Sequence, residues 1–523
     1  KEGIKLDPGA HVIFHKTIEI YTVQKQWPKT IEALAALAET EKDGKRRAKY
    51  SYAAAVIARD EMRDRDLALE KFSLTLDDDP DNAKAFEAID KLLAVGDDYK
   101  ALARAYRQMI RRVGQDAPSG RLIRLWSRLG EICAEHLDDT ESAMAAYEVA
   151  VSLDPDNPRH HEQLVNLYLE QGEERRKDAI HELHVLISHE PDRAELYHAL
   201  FGLYEQEGDS DRLYCVAQAL VLLGAASPAQ KALYKAMRPT QFQLAKRRLT
   251  EDLWREAVSH TKENRHLSAI FSSVVGALAA TTARPASAYN LGQDARADLE
   301  SDGRTITKVV KYGTDVLGLE LKPALYINQS GDEHIHVANT AEHGRLVPSV
   351  MVGGANLSKK DQRELAFEVG KRLAYFKPER YVNYAMQGLP RLQQAYAAVL
   401  AATGAPGAEK ADNEARRMAD TLRTSVPGPV LEQVGAVARK LNADPNNGVL
   451  VGWRTATDLT ANRVGFILCN DLEVAAKMVA TESSPFTTLS AKDRLRDLIA
   501  YSASEEYFQV RKHLGFSIAE QGA

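Results

Sequence analysis

Apolar and small residues recur along the first half of the chain at the spacing of paired helices. Five prolines, Pro80, Pro118, Pro155, Pro191 and Pro228, follow one another at intervals of 38, 37, 36 and 37 residues. The segments between them have the apolar periodicity of amphipathic helices, two to each interval. A fixed period of this length indicates a repeat array, in which each unit buries its apolar face against the next. We therefore expect an α-solenoid in this half.

Anchor residues within the intervals narrow the kind of repeat. The patterns W-x2-L-G-x2-C, H-x2-L-V-x2-Y and Y-x2-L-F-x2-Y start at Trp126, His161 and Tyr197, 35 and 36 residues apart. One following helix supplies small, aromatic, small and proline residues in turn: Ala143, Tyr147, Ala150 and Pro155. Small residues let paired helices approach closely, and aromatic rings fill the space between pairs. These anchors resemble the tetratricopeptide repeat.

The resemblance implies about five helix pairs between Arg46 and Gly224, with a further helix over 27–40. Such pairs stack into a superhelix whose concave groove receives peptides or partner domains. On the groove side of the first helices we expect these residues: Lys84, Arg124, Ser127, Arg159, Glu162, Asn166 and His198. The cations among them favour an acidic or carboxylate-bearing partner. An ordinary solvated face gives the same distribution of charge, so that alternative stays open.

After residue 303 the pattern changes from paired helices to a helix, short strands and a second helix. The expected elements are a helix over 305–317, strands over 324–330, 334–341 and 348–355, and a helix over 359–376. Residues 231–280 before them are expected to form helices with charged faces, as part of a connector over 231–303. The second half is therefore predicted to be an α+β domain with a small sheet.

The order of these elements is similar to the core of gluzincin zinc peptidases related to the CAAX prenyl protease and the heat-shock membrane protease. In that family an HExxH helix carries two zinc-binding histidines and a catalytic glutamate. Glu368 matches the glutamate. Ninety residues further on, Asp458 takes the place of a third metal ligand and Asn462 replaces an aspartate. Arg463 and Gly465 match the residues that follow in the family.

The two histidine positions of that helix are occupied by Phe367 and Lys371. A phenylalanine cannot ligate zinc. An ammonium about 4 Å from a divalent cation would be repelled by about 8 kcal/mol at an effective dielectric near 20. We expect no zinc here and no catalytic residue, and we expect the Lys371 ammonium to pair with Glu368 and Asp458. The alternative is a solvent-exposed Lys371 beside a core phenylalanine.

Three further histidines leave room for an unconventional metal site. His334 and His336 alternate on an expected strand and so face the same side, and His343 follows closely. Side chains of this kind bind several transition metals. No motif places a carboxylate beside them, and we expect no cofactor.

Bulk composition limits the classes of function. A chain of 523 residues is too long for one core, and its net charge of −6 gives no reason to expect nucleic acid as a partner. No run reaches the roughly 18 apolar residues needed to span a bilayer. The three cysteines, Cys133, Cys215 and Cys469, lack the spacing of a disulfide framework, which favours a cytoplasmic protein. Because the chain opens with Lys1, a preceding segment is left open.

The sequence therefore predicts a mainly α protein that binds other proteins or peptides without catalysis. The predicted domains are a leader and extra helix over 1–45, repeats over 46–230, a connector over 231–303 and a degenerate peptidase-like domain over 304–523. Two alternatives stay open. One is an active metallopeptidase with an atypical metal site, whose repeats recruit substrate. The other is a regulatory subunit of a larger assembly.

Overall fold

The structure is a computed structural model. It describes residues 10–328, 334–354, 360–442, 444, 448–482 and 484–518. The chain divides between residues 186 and 187 into two compact units, each with its own internal contacts. The described residues are mainly helical, with a small mixed sheet in the second unit.

Paired antiparallel helices build the first unit, and the pairs begin where the sequence predicts them. The helices are α1 (Ala10–Val23), α2 (Trp27–Thr40), α3 (Gly44–Asp60), α4 (Arg65–Asp78), α5 (Ala83–Val95), α6 (Tyr99–Val113), α7 (Ser119–His136), α8 (Thr140–Leu153), α9 (Pro158–Glu170) and α10 (Arg176–His189). The predicted extra helix over 27–40 is confirmed as α2. Asp and Asn side chains cap many helix starts; Asp64, Asn82 and Asp139, for example, accept hydrogen bonds from backbone N–H groups.

The repeat anchors hold each pair together in the way the pattern predicts. A Cβ atom added at Gly130 would lie 2.9 Å from the ring of Tyr147, so only glycine permits this approach of α7 and α8. His161 places Nε2 2.8 Å from the carbonyl oxygen of Pro155, six residues earlier. Tyr197 donates from its hydroxyl to the carbonyl of Pro191 at the same offset, 3.0 Å away. In both repeats the anchor side chain thus hydrogen-bonds to the proline of the turn that precedes its helix.

The fifth helix pair belongs to the second unit. It consists of α11 (Ala194–Glu207) and α12 (Ser210–Leu222), followed by α13 (Pro228–Met237). Arg511 near the end of the chain is 1% exposed and pairs with Asp211 of α12 at 2.7 Å. The five predicted pairs are therefore present. The fifth pair packs on the C-terminal helices of the same unit. The predicted boundary between residues 230 and 231 stays a prediction.

The predicted helices of residues 231–280 are only partly present. The segment 238–250 has no helix, so the prediction is wrong there; Pro239 interrupts the pattern. This segment bonds to other elements instead: the Lys246 N–H donates to Leu514 and the Leu249 N–H donates to Val316. Helical structure resumes in α14 (Glu251–Leu253), a π-helical turn (Trp254–Val258) and α15 (Arg265–Thr282).

The three predicted strands belong to a small sheet. The strands are β1 (Arg296–Ala297), β2 (Ala324–Asn328), β3 (Ile335–Ala338), β4 (Ala341–Glu342), β5 (Arg345–Leu346) and β6 (Ser349–Gly353). The sheet has the strand order β1-β2-β6-β3, in which β1 was not predicted. β2 pairs in parallel with β6, while β3 pairs with β6 in antiparallel and forms the edge. β4 and β5 pair separately. The predicted strand ends at 329–330 and 355, and the helix start at 359, lie outside the described residues.

The other helices from residue 305 onward belong to the second unit. They are α16 (Thr305–Val316), α17 (Gln362–Leu373), α18 (Pro378–Ala385), α19 (Leu389–Thr403), α20 (Asn413–Ser425), α21 (Gly428–Leu441), α22 (Gly448–Cys469), α23 (Leu472–Thr481), α24 (Ala491–Ser502) and α25 (Glu505–Leu514). Asp458 lies in α22, and α23 follows it after a short break. Asn470 in the left-handed region (φ 48°) ends α22, and the side chain of Asp471 caps α23.

Candidate functional site

Two glycines bring α17 and α22 into backbone contact. A Cβ atom added at Gly465 would lie 2.8 Å from the carbonyl oxygen of Phe367 and 2.9 Å from its ring. One added at Gly370 would lie 3.1 Å from the carbonyl oxygen of Val464. Phe367 is 1% exposed and fills this crossing. Phe367, which stands at the first histidine position of the peptidase pattern, is therefore a packing residue.

The ammonium of Lys371 lies between two carboxylates inside the protein. Lys371 is 1% exposed, and its Nζ lies 3.5 Å from Asp458 Oδ1 and 2.8 Å from Glu482 Oε2. The pairing with Asp458 expected from the sequence is confirmed, and the solvent-exposed alternative is wrong. Glu482 was not anticipated, because it follows α23 in a segment without a recognised motif. Arg372 also contacts Glu482, at 2.6 Å.

These contacts fix the charge of the cluster formed by Lys371, Arg372, Asp458 and Glu482. Burial alone would raise the pKa of Glu482, but the charges of Arg372 and Lys371 outweigh it and lower the pKa to about 2. Asp458 is fully buried and accepts hydrogen bonds from the Tyr375 hydroxyl at 3.2 Å and the Ser484 hydroxyl at 2.6 Å. Burial, and next the carboxylate of Asp458, raises the pKa of the Tyr375 hydroxyl.

Glu368 is engaged by other partners. Its carboxylate accepts the backbone N–H of Ile335 at 3.0 Å and pairs with Lys360 at 2.5 Å. Arg372 donates to the carbonyl of the same Ile335, at 3.0 Å. The N–H and the carbonyl of Ile335, on the edge strand β3, are thus both hydrogen-bonded to side chains of α17. Glu368 thus pairs with Lys360, whereas Lys371, which was expected to pair with Glu368, pairs with Asp458 and Glu482.

Asn462 and Arg463, which were also compared with the peptidase family, lie on α22 among packed side chains. Asn462 is fully buried, and neither atom of its amide has a hydrogen-bond partner among the described residues. Arg463 points to α24, where it pairs with Asp497 at 2.7 Å and lies over the ring of Tyr501 at 4.6 Å. Burial would raise the pKa of Asp497, but Arg463 and a contact with His260 hold it well below the usual range.

The residues at the two histidine positions do not fit a zinc ion. One is an aromatic ring in the core and the other is a cation that already occupies the carboxylate expected as third ligand. His334 and His336 have ring centroids 6.4 Å apart, and His343 lies in the β4–β5 turn with a positive φ of 50°. Over the described ranges, no group of three or more His, Cys, Asp or Glu side chains is arranged to hold a metal.

A cleft of about 290 Å³ opens beside the charge cluster. Its walls come from the edge strand, the end of α17, α18, α22 and the segment after α23, and they include Val337, Arg372, Asn383, Tyr384, Arg454 and Phe486. Rings dominate one wall, since the ring centroids of Tyr384 and Phe486 lie 5.2 Å apart. Sequence reasoning missed this cleft because its residues come from five separate elements.

The predicted groove residues of the repeats lie on the first helices of their pairs. Lys84, Arg124, Arg159, Asn166 and His198 are exposed, and Ser127 and Glu162 are partly buried. Ser127 is bonded within the array, with its hydroxyl 2.8 Å from His160 Nε2. Arg124 lines a cavity of about 500 Å³ together with Phe86 and Tyr106. His198 belongs to the second unit. The preference for an acidic ligand stays a prediction.

Comparisons with known proteins give only distant likenesses. No family model and no curated protein matches the chain. The crystal structure of YrrB, described as a TPR protein with an unusual peptide-binding site, is 17% identical over 34% of this chain and 84% of its own, with a TM-score of 0.23. PilF of Pseudomonas aeruginosa is 17% identical over 44% of this chain and 98% of its own, with a TM-score of 0.22.

A third structure, Naa15/Naa10 bound to HypK-THB, is 14% identical over 98% of this chain and 69% of that chain, with a TM-score of 0.27. The helix pairs of this chain themselves define its fold. The first unit is an array of paired helices whose anchor residues resemble those of the tetratricopeptide repeat. In the described part of the chain, every helix is too short or too polar to cross a membrane.

Proposed function

We propose that this protein is a non-catalytic interaction scaffold, in which a peptide-binding repeat array is joined to a metallopeptidase-like domain that has lost its metal. The observation that carries the proposal is the burial of the Lys371 ammonium between Asp458 and Glu482. In this proposal the internal cation takes over the electrostatic role of zinc, since it neutralises carboxylates that would otherwise be buried without a partner.

The surroundings of Glu368 support the absence of catalysis. A general base must reach the proton it removes, directly or through one water. The carboxylate of Glu368 already accepts from the backbone of Ile335 and from Lys360, and it is 5% exposed. Its role in this proposal is to hold the edge strand on α17. Retention of a fold without its chemistry is common, because function resides in sites rather than in folds.

The partner-binding surface in this proposal is the groove of the repeats. Lys84, Arg124 and Arg159 are exposed on the first helices of consecutive pairs, where a solenoid presents its concave face. Exposed cations on such a face favour a partner with carboxylates. The three cysteines are free and buried, which is consistent with a reducing compartment, so we propose a cytoplasmic location.

A charge-reversal pull-down tests the binding surface. The triple variant Lys84→Glu, Arg124→Glu, Arg159→Glu should lose partners that the wild-type chain retains from a lysate. A matched control reverses three exposed cations on the second helix α6, Lys100, Arg104 and Arg111, and should retain them. Equal loss in both triple variants would show a non-specific charge effect and would reject the groove as the binding surface.

Metal analysis and a peptidase assay test the loss of catalysis. The purified chain should contain no stoichiometric zinc, and Glu368→Gln should leave any residual proteolysis unchanged. Stoichiometric metal together with proteolysis that a chelator abolishes would instead support the alternative of an atypical metallopeptidase, with His334, His336 and His343 as the first candidates for ligands. A partner that copurifies in fixed ratio would favour the alternative of a regulatory subunit.

A further inference from the structure

The cleft beside the charge cluster contains a cation without a carboxylate partner. Arg454 of α22 is half-buried; it donates to the carbonyl of Pro485 at 2.9 Å and lies 5.3 Å from the ring centroid of Phe486. Within the described ranges no carboxylate lies within ion-pair distance of it. Lys371 and Arg372, by contrast, share two carboxylates. The positive charge of Arg454 is thus not compensated by a carboxylate among the described residues.

The burial of Arg454 makes that charge costly. Burial lowers the pKa of its guanidinium, and the more distant charges of Tyr375 and Asp458 only partly oppose this effect. A bound anion would offset the cost. A guanidinium presents its N–H groups in a planar fork that matches the two oxygens of a carboxylate.

A second unsatisfied group lines the same cleft. Asn383 is 1% exposed; its Nδ2 donates to the carbonyl of Arg380, but its Oδ1 has no hydrogen-bond partner among the described residues. A buried amide oxygen without a donor destabilises the protein, because the hydrogen bonds that it makes with water in the unfolded chain are not replaced. A ligand that brings an N–H group as well as an anion would satisfy both Asn383 and Arg454.

The third property of the cleft is its aromatic wall. The rings of Tyr384 and Phe486 lie edge to face, and the ring of Tyr375 contacts both behind them. Such a surface accepts an aliphatic or aromatic side chain. The volume of about 290 Å³ lies at the lower end of the range for ligand pockets, which limits the occupant to a small group.

An anion, a neighbouring N–H and an apolar side chain occur together at the end of every polypeptide that closes with an apolar residue. We propose that this cleft binds such a C-terminal residue: its carboxylate pairs with Arg454 and its backbone N–H donates to Asn383 Oδ1. Its side chain packs on Tyr384 and Phe486. This proposal rests on the proposed function as a polypeptide-binding scaffold and adds a second recognition site to it.

Calorimetric titration of the full chain with N-acetyl-Gly-Phe tests the proposal. The free acid should bind, and the C-terminal amide of the same peptide should bind at least tenfold more weakly, because it lacks the charge. Arg454→Met should lose binding of the acid by at least tenfold. Arg454→Lys, which keeps the charge but not the fork, should retain part of it. Arg439→Met, at an exposed position on α21, is the matched control and should bind like the wild type.

A small carboxylate without a peptide bond tests whether the cleft recognises a polypeptide C-terminus or any apolar carboxylate. 3-Phenylpropionate carries the ring and the carboxylate without the peptide N–H, so it should bind more weakly than the peptide acid, and Asn383→Leu should remove that difference. The proposal would be overturned if the wild type did not bind the peptide acid, or if it bound the acid and the amide equally. It would also be overturned if 3-phenylpropionate bound as tightly as the peptide acid. The triple groove variant should keep its affinity for the peptide acid, so failure of the groove and failure of the cleft are distinguishable.

Discussion

Replacement of Lys371 by methionine should destabilise the second unit strongly. Methionine has a similar length and no charge, so packing is largely kept while the ammonium is lost. Asp458 is then fully buried with only the hydroxyls of Tyr375 and Ser484 as partners, whereas Glu482 keeps Arg372. Removal of one partner from a buried ion pair costs about 3–5 kcal/mol. Because Glu482 retains a cation, we expect a loss near the lower end of that range.

Hydrogen exchange measured by mass spectrometry on peptides from α17 and α22 is the suitable assay, since it reports the stability of this unit separately from the repeats. A double-mutant cycle sharpens the result. Lys371→Met combined with Asp458→Asn removes both charges, so the double variant should lose about 1–3 kcal/mol less than the sum of the single losses. The control Lys308→Met, at an exposed position on α16, should stay within about 0.5 kcal/mol of the wild type. A loss below about 1 kcal/mol for Lys371→Met, or additive single effects, would refute the internal charge pair as a stabilising element.

Three further variants test other contacts of the second unit. Gly465→Ala should cost about 1–3 kcal/mol in urea unfolding, because its methyl group meets the carbonyl of Phe367; an unchanged midpoint would contradict the close crossing. Glu482 has a pKa lowered from 4.5 to about 2, so its contribution of about 3 kcal/mol is present above pH 4.5 and lost as the pH falls toward 2. The stability gap between the wild type and Glu482→Gln should therefore close over that interval, and a gap independent of pH would reject the assigned shift. Arg511→Met leaves Asp211 without its cation and should lower the free energy of unfolding by about 3–5 kcal/mol. The loss should be visible as faster hydrogen exchange in α12, and unchanged exchange would show that the fifth helix pair is stable without this contact.

The repeats were predictable from the sequence because their information is local. The proline period, the anchor at His161 and the cap residues each act within one helix pair, and this pattern recurs over five pairs. The pairing of Lys371 with Asp458 was also predictable, since it follows from two positions of one resemblance. Local pattern thus sufficed for the repeats, and the resemblance supplied the long-range pair.

Other features depend on contacts that no local pattern encodes. Glu482 joins the charge cluster across more than a hundred residues from Lys371, and nothing in its own segment marks it. The segment 238–250 has a helical composition but is not helical, and its backbone N–H groups donate to distant carbonyls such as those of Val316 and Leu514. Tertiary contacts override propensity in such segments. The cleft beside Arg454 combines residues from five elements and belongs to the same class.

The crossing at Gly465 and the charge cluster together oppose single substitutions toward metal ligation. A change of Lys371 to histidine alone would leave Asp458 in the interior without its cation, and a change of Phe367 to histidine alone would press a polar ring against the α22 backbone. Each of these substitutions alone therefore yields a less stable protein. Selection for folding by itself thus disfavours the stepwise gain of a metal site at these two positions.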